Sequence, residues 1–202
     1  MIYIIRHGQT EMNRQKVLQG RSDLPLNEEG RKQAASIGAA LQAEGIAFSH
    51  VYSSPLIRAV ETARLTAGEG CEIQTDDRLL EMDYGPYEGM SLRDPAPEVI
   101  TFFMDFVNNP APEGMEPLED VVKRSGEFVE TLRELEGDIL ISAHAISMKG
   151  ILEYLTPESK GAYWSKNIAN CAVYKTEVKD GVFSVPAEHE MKLGEDGFSV
   201  SF

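Results

Sequence analysis

Residues 2–5 (IYII) form a short, continuous apolar run that leads directly into Arg6-His7-Gly8. A run without polar alternation is typical of a strand that is buried on both faces of a parallel sheet. Residues 138–143 (DILISA) show a second run of this kind, and helical patterns lie between the two. The sequence therefore predicts an α/β fold, a three-layer sandwich with a mostly parallel central sheet and helices on both faces.

Capping and turn signals place the remaining elements. Asn27 and Gly45 bound a predicted helix over about 28–44. Ser54-Pro55 is expected to supply the N-cap and the first helical residue of a helix that reaches about residue 66. The other expected elements are strands at 48–52 and near 71–75, a helix over about 146–155, and a terminal hairpin that joins 171–178 to 182–186 through Asp180-Gly181.

The segment of about 91–120 interrupts this alternation. One short apolar helix containing ITFFMDFV is bracketed by five prolines: Pro95, Pro97, Pro110, Pro112 and Pro117. We expect a small insertion that forms a lid over the functional site. The rest of residues 1–202 is predicted to form a single domain around it, since the length suits one core.

The composition excludes several classes of partner. The chain has 33 acidic and 19 basic residues, a formal net charge of −14, so neither nucleic acid nor an anionic membrane is expected to bind it. No signal-peptide pattern opens the chain and no apolar run is long enough to cross a membrane, so we expect a cytoplasmic protein. Cys71 and Cys171 are then expected to be buried free thiols.

Residues capable of phosphate chemistry follow three predicted strands. They are Arg6-His7-Gly8, Arg58 and His144, and ligands of open α/β sheets bind at the carboxyl ends of the strands. Arginine binds phosphoryl oxygens bidentately and always carries its charge, so Arg6 and Arg58 are expected to neutralise the transferred group. A neutral imidazole is a competent nucleophile, which suits His7, and a protonated His144 would donate to the same oxygens.

A carboxylic acid is also needed, to protonate the leaving alcohol and then to activate water. Glu81 is the best candidate in the glycine-flanked loop LLEMDYGPYEG, and Glu88 in the same loop is the second. Alternatives remain for single residues: Arg58 would pair with Glu61 on a helix surface, and His144 would be a hydrogen-bonded core residue. A metal site of His7, His144 and Glu81 is disfavoured because two arginines would repel the cation.

The same residues belong to a series of sequence blocks. In chain order the blocks are RHGQT (6–10) with Asn13, LQG (18–20), DLPLNEEG (23–30), YSSPLIRAVETA (52–63), LEMDYGPYEG (80–89) and SAH (142–144). In order and spacing, from Met1 to about Leu155, they resemble the histidine phosphatase superfamily, also called phosphoglycerate mutase-like. The resemblance implies a phosphorylated His7 in a pocket of Arg6, Arg58 and His144, with Glu81 as general acid and base.

The resemblance also adds residues that the chemistry alone does not identify. It implies that Asn13, Gln19 and Gly20 contact the phosphate, together with the backbone N–H of Ala145, where the family usually has glycine. Mutases of the family carry a lysine where this chain has Leu92, and residues 95–117 contain no basic residue that could hold a second anionic group.

The sequence therefore predicts a phosphatase that acts on a small phosphorylated metabolite and needs no metal or organic cofactor. The alternatives are a phosphoglycerate mutase and a non-catalytic protein that binds a phosphorylated ligand.

Overall fold

The computed structural model describes residues 1–191. Its strands are β1 (Ile2–Arg6), β2 (Phe48–Ser53), β3 (Ile73–Thr75), β4 (Asp138–Ala143), β5 (Val173–Thr176), β6 (Val178–Lys179), β7 (Val182–Phe183) and β8 (Ala187–Glu188). Its α-helices are α1 (Glu11–Gln15), α2 (Glu28–Ala43), α3 (Ile57–Ala67), α4 (Pro97–Met104), α5 (Leu118–Glu130) and α6 (Ala145–Leu155). The last eleven residues of the predicted domain lie outside this description.

Six strands form the central sheet in the order β3-β2-β4-β1-β5-β8. The first four are parallel to one another, while β5 runs antiparallel to β1 and β8 antiparallel to β5. The two strands that the sequence identifies by their continuous apolar runs, β1 and β4, lie side by side at the centre. The predicted mostly parallel sheet is confirmed.

Both faces of β1 are covered by helices, which explains its apolar run. Ile2 and Ile4 pack with the apolar residues of α5 and α6, while Tyr3 and Ile5 pack with those of α2 and α3. Side chains alternate between the two faces of a strand, so a strand in the middle layer must be apolar at every position. Burying one such side chain stabilises the fold by roughly 1.5–3 kcal/mol. The three-layer sandwich is therefore confirmed.

The predicted start of α3 is wrong by two residues. The helix begins at Ile57 after Leu56, and Ser54 does not cap it. The side chain of Asp23 instead accepts the Ile57 N–H at 2.7 Å. Ser54 Oγ lies 2.8 Å from Nε2 of His144, and within residues 1–191 the only backbone N–H that it accepts is that of Leu56, at 3.4 Å, before the helix begins.

The predicted terminal hairpin is also only partly correct. Asp180 and Gly181 have positive φ values of 52° and 73°, as a tight hairpin turn requires. They form the turn between β6 and β7, and these two strands pair at two positions. Strand β5 lies outside this hairpin and pairs with β1 and β8. Val173 and Tyr174 of β5 are buried in this position, and the burial of these apolar side chains favours pairing of β5 with the central sheet.

The insertion predicted at 91–120 contains α4 and the beginning of α5. Val99 and Phe102 of α4 are fully buried, and they join a third apolar cluster with Leu18, Tyr84 and Ile146. The insertion thus packs beside the loops that follow the parallel strands, and its function as a lid stays a prediction. Cys71 and Cys171 are both free, and only Cys171 is fully buried. None of the helices in residues 1–191 is long and apolar enough to cross a bilayer.

Candidate active site

The register of the two central strands brings His7 and His144 together. Arg6 lies opposite Ala143 in the parallel ladder, and the His7 N–H donates to the Ala143 carbonyl at 2.9 Å. The next residues along each strand are therefore neighbours, and the two imidazole rings lie with their centroids 5.1 Å apart. Both rings are buried at the carboxyl edge of the sheet.

The hydrogen bonds of His7 define which nitrogen carries its proton. Nδ1 lies 2.7 Å from the carbonyl oxygen of Gly8, which only accepts, so Nδ1 must be the donor. Nε2 then accepts from Nε of Arg58 at 3.3 Å. Burial lowers the pKa of His7 well below 6.5, and the cations Arg58 and Arg6 lower it further. His7 is therefore neutral at pH 7, with its lone pair on Nε2.

Arg58 is buried beside this lone pair and is not the surface residue of the alternative interpretation. Its side chain is 0% exposed, and Nη1 and Nη2 donate to the carbonyls of Ser22 at 2.7 Å and Gly20 at 2.6 Å. Burial lowers its pKa to about 10, which leaves it cationic at pH 7. Glu61, the expected surface partner, instead forms an ion pair with Arg31.

Glu88 holds the loop that positions Arg58. Its carboxylate accepts the Gly20 N–H at 3.0 Å and the Ser22 N–H at 3.2 Å. A side chain at position 20 would come within 2.6 Å of this carboxylate, so glycine is required there. Gly20 is predicted to contact the phosphate. Its N–H instead donates to Glu88, and its carbonyl accepts from the guanidinium of Arg58.

His144 lies on the other side of His7 and is anchored by Ser54. Its Nε2 is 2.8 Å from Ser54 Oγ, while its buried Nδ1 has no hydrogen-bond partner within residues 1–191. The pKa of His144 is lowered well below 6.5, chiefly by burial and then by the neighbouring Arg58 and His7. The ring is neutral at pH 7, so the protonated His144 of the sequence analysis would require an anion beside it. No local sequence signal identifies Ser54 as its partner, because the contact joins two neighbouring strand ends.

Two further side chains at the site keep buried donors without partners. Gln19 accepts from Thr10 Oγ1 at 2.6 Å, which leaves its Nε2 unpaired. Arg6 donates from Nη1 to the Ile168 carbonyl at 2.5 Å, while its Nε is unpaired. In residues 1–191 only four buried side-chain nitrogen or oxygen atoms lack a partner, and three of them belong to Arg6, Gln19 and His144. Such atoms are rare in folded proteins, and their concentration here is typical of a ligand site.

Asn13 lies next to this group. Its Oδ1 accepts from the backbone N–H of Thr10 at 3.1 Å and from Nδ2 of Asn170 at 3.3 Å. Nδ2 of Asn170 also donates to the backbone carbonyl of His7 at 2.9 Å. Asn170 cannot be identified from the sequence, because it lies in an irregular loop with no motif of its own.

Glu81 lies at the start of α6, beside His144. Its buried carboxylate accepts the N–H groups of Ile146 and Ser147 at 3.0–3.2 Å, and that of Met82 at 3.0 Å. Ala145, whose N–H is the first of the helix, directly precedes these donors. A buried carboxylate, two guanidinium groups and two neutral imidazoles thus lie together at the carboxyl edge of the parallel strands. This set of groups can bind an anion, attack it and exchange a proton with it.

Comparisons with known proteins identify the family of the chain. The sequence profile of the histidine phosphatase superfamily (branch 1) matches residues 2–188. A 2,3-bisphosphoglycerate-dependent phosphoglycerate mutase of Parvibaculum lavamentivorans is 32% identical, over 90% of this chain and 93% of its own.

Solved structures show the same relationship. Bacillus stearothermophilus YhfR is 30% identical with a TM-score of 0.77, over 91% of this chain and 94% of its own. A mycobacterial glucosyl-3-phosphoglycerate phosphatase in complex with VO3 is 26% identical with a TM-score of 0.77, over 87% and 92%. The protein therefore belongs to the histidine phosphatase superfamily, whose enzymes among these relatives are named as phosphatases and as a mutase.

Proposed function

We propose that the protein is a phosphatase that hydrolyses a small phosphorylated metabolite through a phosphohistidine at His7, without a metal or organic cofactor. One observation carries the proposal: Nε2 of the neutral His7 presents a lone pair beside the guanidinium of Arg58. Buried atoms without a hydrogen-bond partner within residues 1–191, Nε of Arg6, Nε2 of Gln19 and Nδ1 of His144, belong to the same group of residues. Together they suit a phosphoryl group in line with an attacking nitrogen.

The reaction has two steps in this proposal. When the substrate binds, Nε of Arg58 donates to a phosphoryl oxygen in place of Nε2 of His7. The freed Nε2 forms a bond to phosphorus while the bond from phosphorus to the ester oxygen breaks, and a protonated Glu81 gives its proton to the leaving alcohol. Water then attacks the phosphohistidine, Glu81 takes a proton from it, and inorganic phosphate leaves as Nε2 regains its lone pair. Arg6 and Arg58 stabilise the charge on the phosphoryl oxygens in both steps.

Glu81 is favoured over Glu88 as the proton carrier because of where each carboxylate lies. Glu81 is buried at the N-terminus of α6, next to His144 and Ala145. Glu88 is directed at the N–H groups of loop 20–22.

A mutase is the second candidate, because one relative carries that name. It would return the phosphoryl group to a second anionic ligand and keep water out. The absence of basic residues from 95–117 favours hydrolysis. A non-catalytic binder would need neither a nucleophile nor an acid, so the complete set of groups favours an enzyme.

Rapid quench with a radiolabelled phosphomonoester tests the proposal. We expect an acid-labile, base-stable phosphoprotein that is absent from His7→Ala, together with a loss of turnover on the order of 10³-fold or more. His50→Ala, which removes a histidine from β2 outside the site, serves as the matched control. Label on a serine, or full turnover by His7→Ala, would contradict the proposal.

A further inference from the structure

A cavity lies between the end of α4 and the loop of residues 161–167. Its volume is ≈ 350 Å³, within the range of small-molecule sites. Phe103 and Phe106 from the insertion line one part of it, Trp164 lines another, and Lys149 reaches it from α6. The mechanism proposed above uses none of these residues.

Lys149 is a buried cation without a carboxylate partner. Its side chain is 8% exposed, and within residues 1–191 no ion pair includes it. Nζ donates to the Trp164 carbonyl at 2.8 Å and lies 5.2 Å from the centre of the Phe106 ring. An ammonium has three donors, so one carbonyl leaves it incompletely satisfied. Burying a charge in this way is costly unless something compensates it.

The other charges around the cavity do not neutralise Lys149. Asp105 lies in the wall, but its carboxylate accepts from the backbone N–H groups of Val107 and Asn108 and from Nδ2 of Asn108. Lys166, an exposed residue, adds a second positive charge to the wall. The cavity therefore combines aromatic surface with an excess of positive charge.

This cavity lies close to the candidate active site. Lys149 follows Ala145 by four residues on α6, so the two lie on the same face of the helix. Asn167 lines the cavity, and the carbonyl of the next residue, Ile168, accepts from Arg6. Burial lowers the pKa of Lys149 to about 8, while Glu81 raises it and Arg6 lowers it, so both site residues are within electrostatic reach.

We propose that this cavity binds the alcohol portion of the substrate and that Lys149 recognises a second anionic group on it, a carboxylate or a second phosphate. The inference rests on the proposed function, since it assigns the substrate class of the same site. Residues 95–117 of the insertion contain no cation for such a group. The structure supplies one from α6, outside the insertion.

A matched pair of ligands isolates the second charge. 3-Phosphoglycerate and glycerol 3-phosphate differ by a carboxylate in place of a hydroxymethyl group. Their binding to His7→Ala, which cannot turn them over, is measured by calorimetry with and without Lys149→Met. We expect Lys149→Met to weaken 3-phosphoglycerate at least about tenfold and glycerol 3-phosphate less than about twofold, because a charge-assisted hydrogen bond is lost only in the first case.

Two further variants separate recognition from folding. Lys149→Arg keeps the charge and should retain the preference for 3-phosphoglycerate. Lys32→Met removes an exposed lysine of α2 and should change neither affinity. Equal weakening of both ligands by Lys149→Met, or no preference for 3-phosphoglycerate in the parent, would overturn the inference.

The binding comparison and the proposed function fail independently. Turnover of p-nitrophenyl phosphate by the unmodified chain, lost in His7→Ala, tests the hydrolysis alone. If the chain hydrolyses p-nitrophenyl phosphate but does not distinguish 3-phosphoglycerate from glycerol 3-phosphate, only the role proposed for Lys149 and its cavity is wrong. If the two ligands are distinguished and no hydrolysis occurs, the role proposed for Lys149 is supported and the phosphatase assignment is wrong.

Discussion

Nε of Arg58 lies 3.3 Å from Nε2 of His7 and donates to it, while Nδ1 of His7 donates to the Gly8 carbonyl. The two bonds fix one tautomer and orient the ring. The same guanidinium is held by two carbonyls of loop 20–22, and Glu88 holds the N–H groups of that loop. The orientation of the proposed nucleophile therefore depends on a carboxylate 81 positions away in sequence, which acts through Arg58.

Glu81→Gln should slow hydrolysis of poor leaving groups far more than that of p-nitrophenyl phosphate. Glutamine keeps the shape of glutamate but cannot transfer a proton, and p-nitrophenolate leaves without protonation. We expect losses of about 10²–10⁴-fold in kcat/KM for alkyl phosphates, measured across esters of graded alcohol pKa.

Glu88→Gln is the matched comparison for Glu81→Gln. Glu88 positions loop 20–22, so its loss should affect good and poor leaving groups equally. If Glu88→Gln instead shows the selective effect and Glu81→Gln the uniform one, the two roles are exchanged.

Chelation should leave activity unchanged, and vanadate should inhibit. Arg6 and Arg58 supply the positive charge for the phosphoryl oxygens, and vanadate mimics the five-coordinate phosphorus of the transition state. The measurement is hydrolysis of p-nitrophenyl phosphate after exhaustive treatment with EDTA. Activity that disappears with EDTA and returns with zinc or manganese would favour the metal site instead.

The free energy of unfolding should fall as the pH drops below 6.5. The pKa values of His7 and His144 are lowered in the folded protein, chiefly by burial and then by Arg58. The unfolded chain therefore binds protons that the folded chain does not. The stabilisation is fully present above pH 6.5 and is lost as the pH falls towards the folded-state pKa, by up to about 1.4 kcal/mol per pH unit for each ring.

Urea denaturation between pH 8 and 5 (about the range in which histidine alone titrates) measures this slope. His7→Gln and His144→Gln should each flatten it, while His50→Gln on β2 provides the control for loss of a histidine. An unchanged slope in both site variants would mean that other groups cause the pH dependence.

Release of inorganic phosphate should exceed interconversion of 3- and 2-phosphoglycerate. A mutase must hold the phosphoglycerate by its second anionic group beside the phosphohistidine, and it must exclude water until the phosphoryl group has been transferred to the substrate. Lys149 can bind the second anionic group, but residues 95–117 contain no arginine or lysine that could close over the bound anion and exclude water. The assay compares both rates with 2,3-bisphosphoglycerate present. Interconversion that outruns hydrolysis by a wide margin would support the mutase, and Arg93 would be the next residue to change.

The amino-acid sequence determined the layers of the fold and the chemical set of the site. The apolar runs at 2–5 and 138–143 predict central strands because only a strand covered on both faces is apolar throughout. Arg6, His7 and His144 follow these strands directly, so their position at the carboxyl edge is a consequence of chain order alone.

Only the tertiary structure decided which atoms of those residues are buried, hydrogen-bonded or left for a ligand. Ser54 contacts His144 and does not cap α3 as predicted. Arg58 is buried and donates to backbone carbonyls instead of pairing with Glu61. Lys149 becomes a buried cation beside an aromatic cavity, which its place in an apolar helix does not reveal. Local patterns report the periodicity of a segment, whereas these contacts join residues that are distant in sequence. Burial and hydrogen-bond geometry exist only once the segments have packed together.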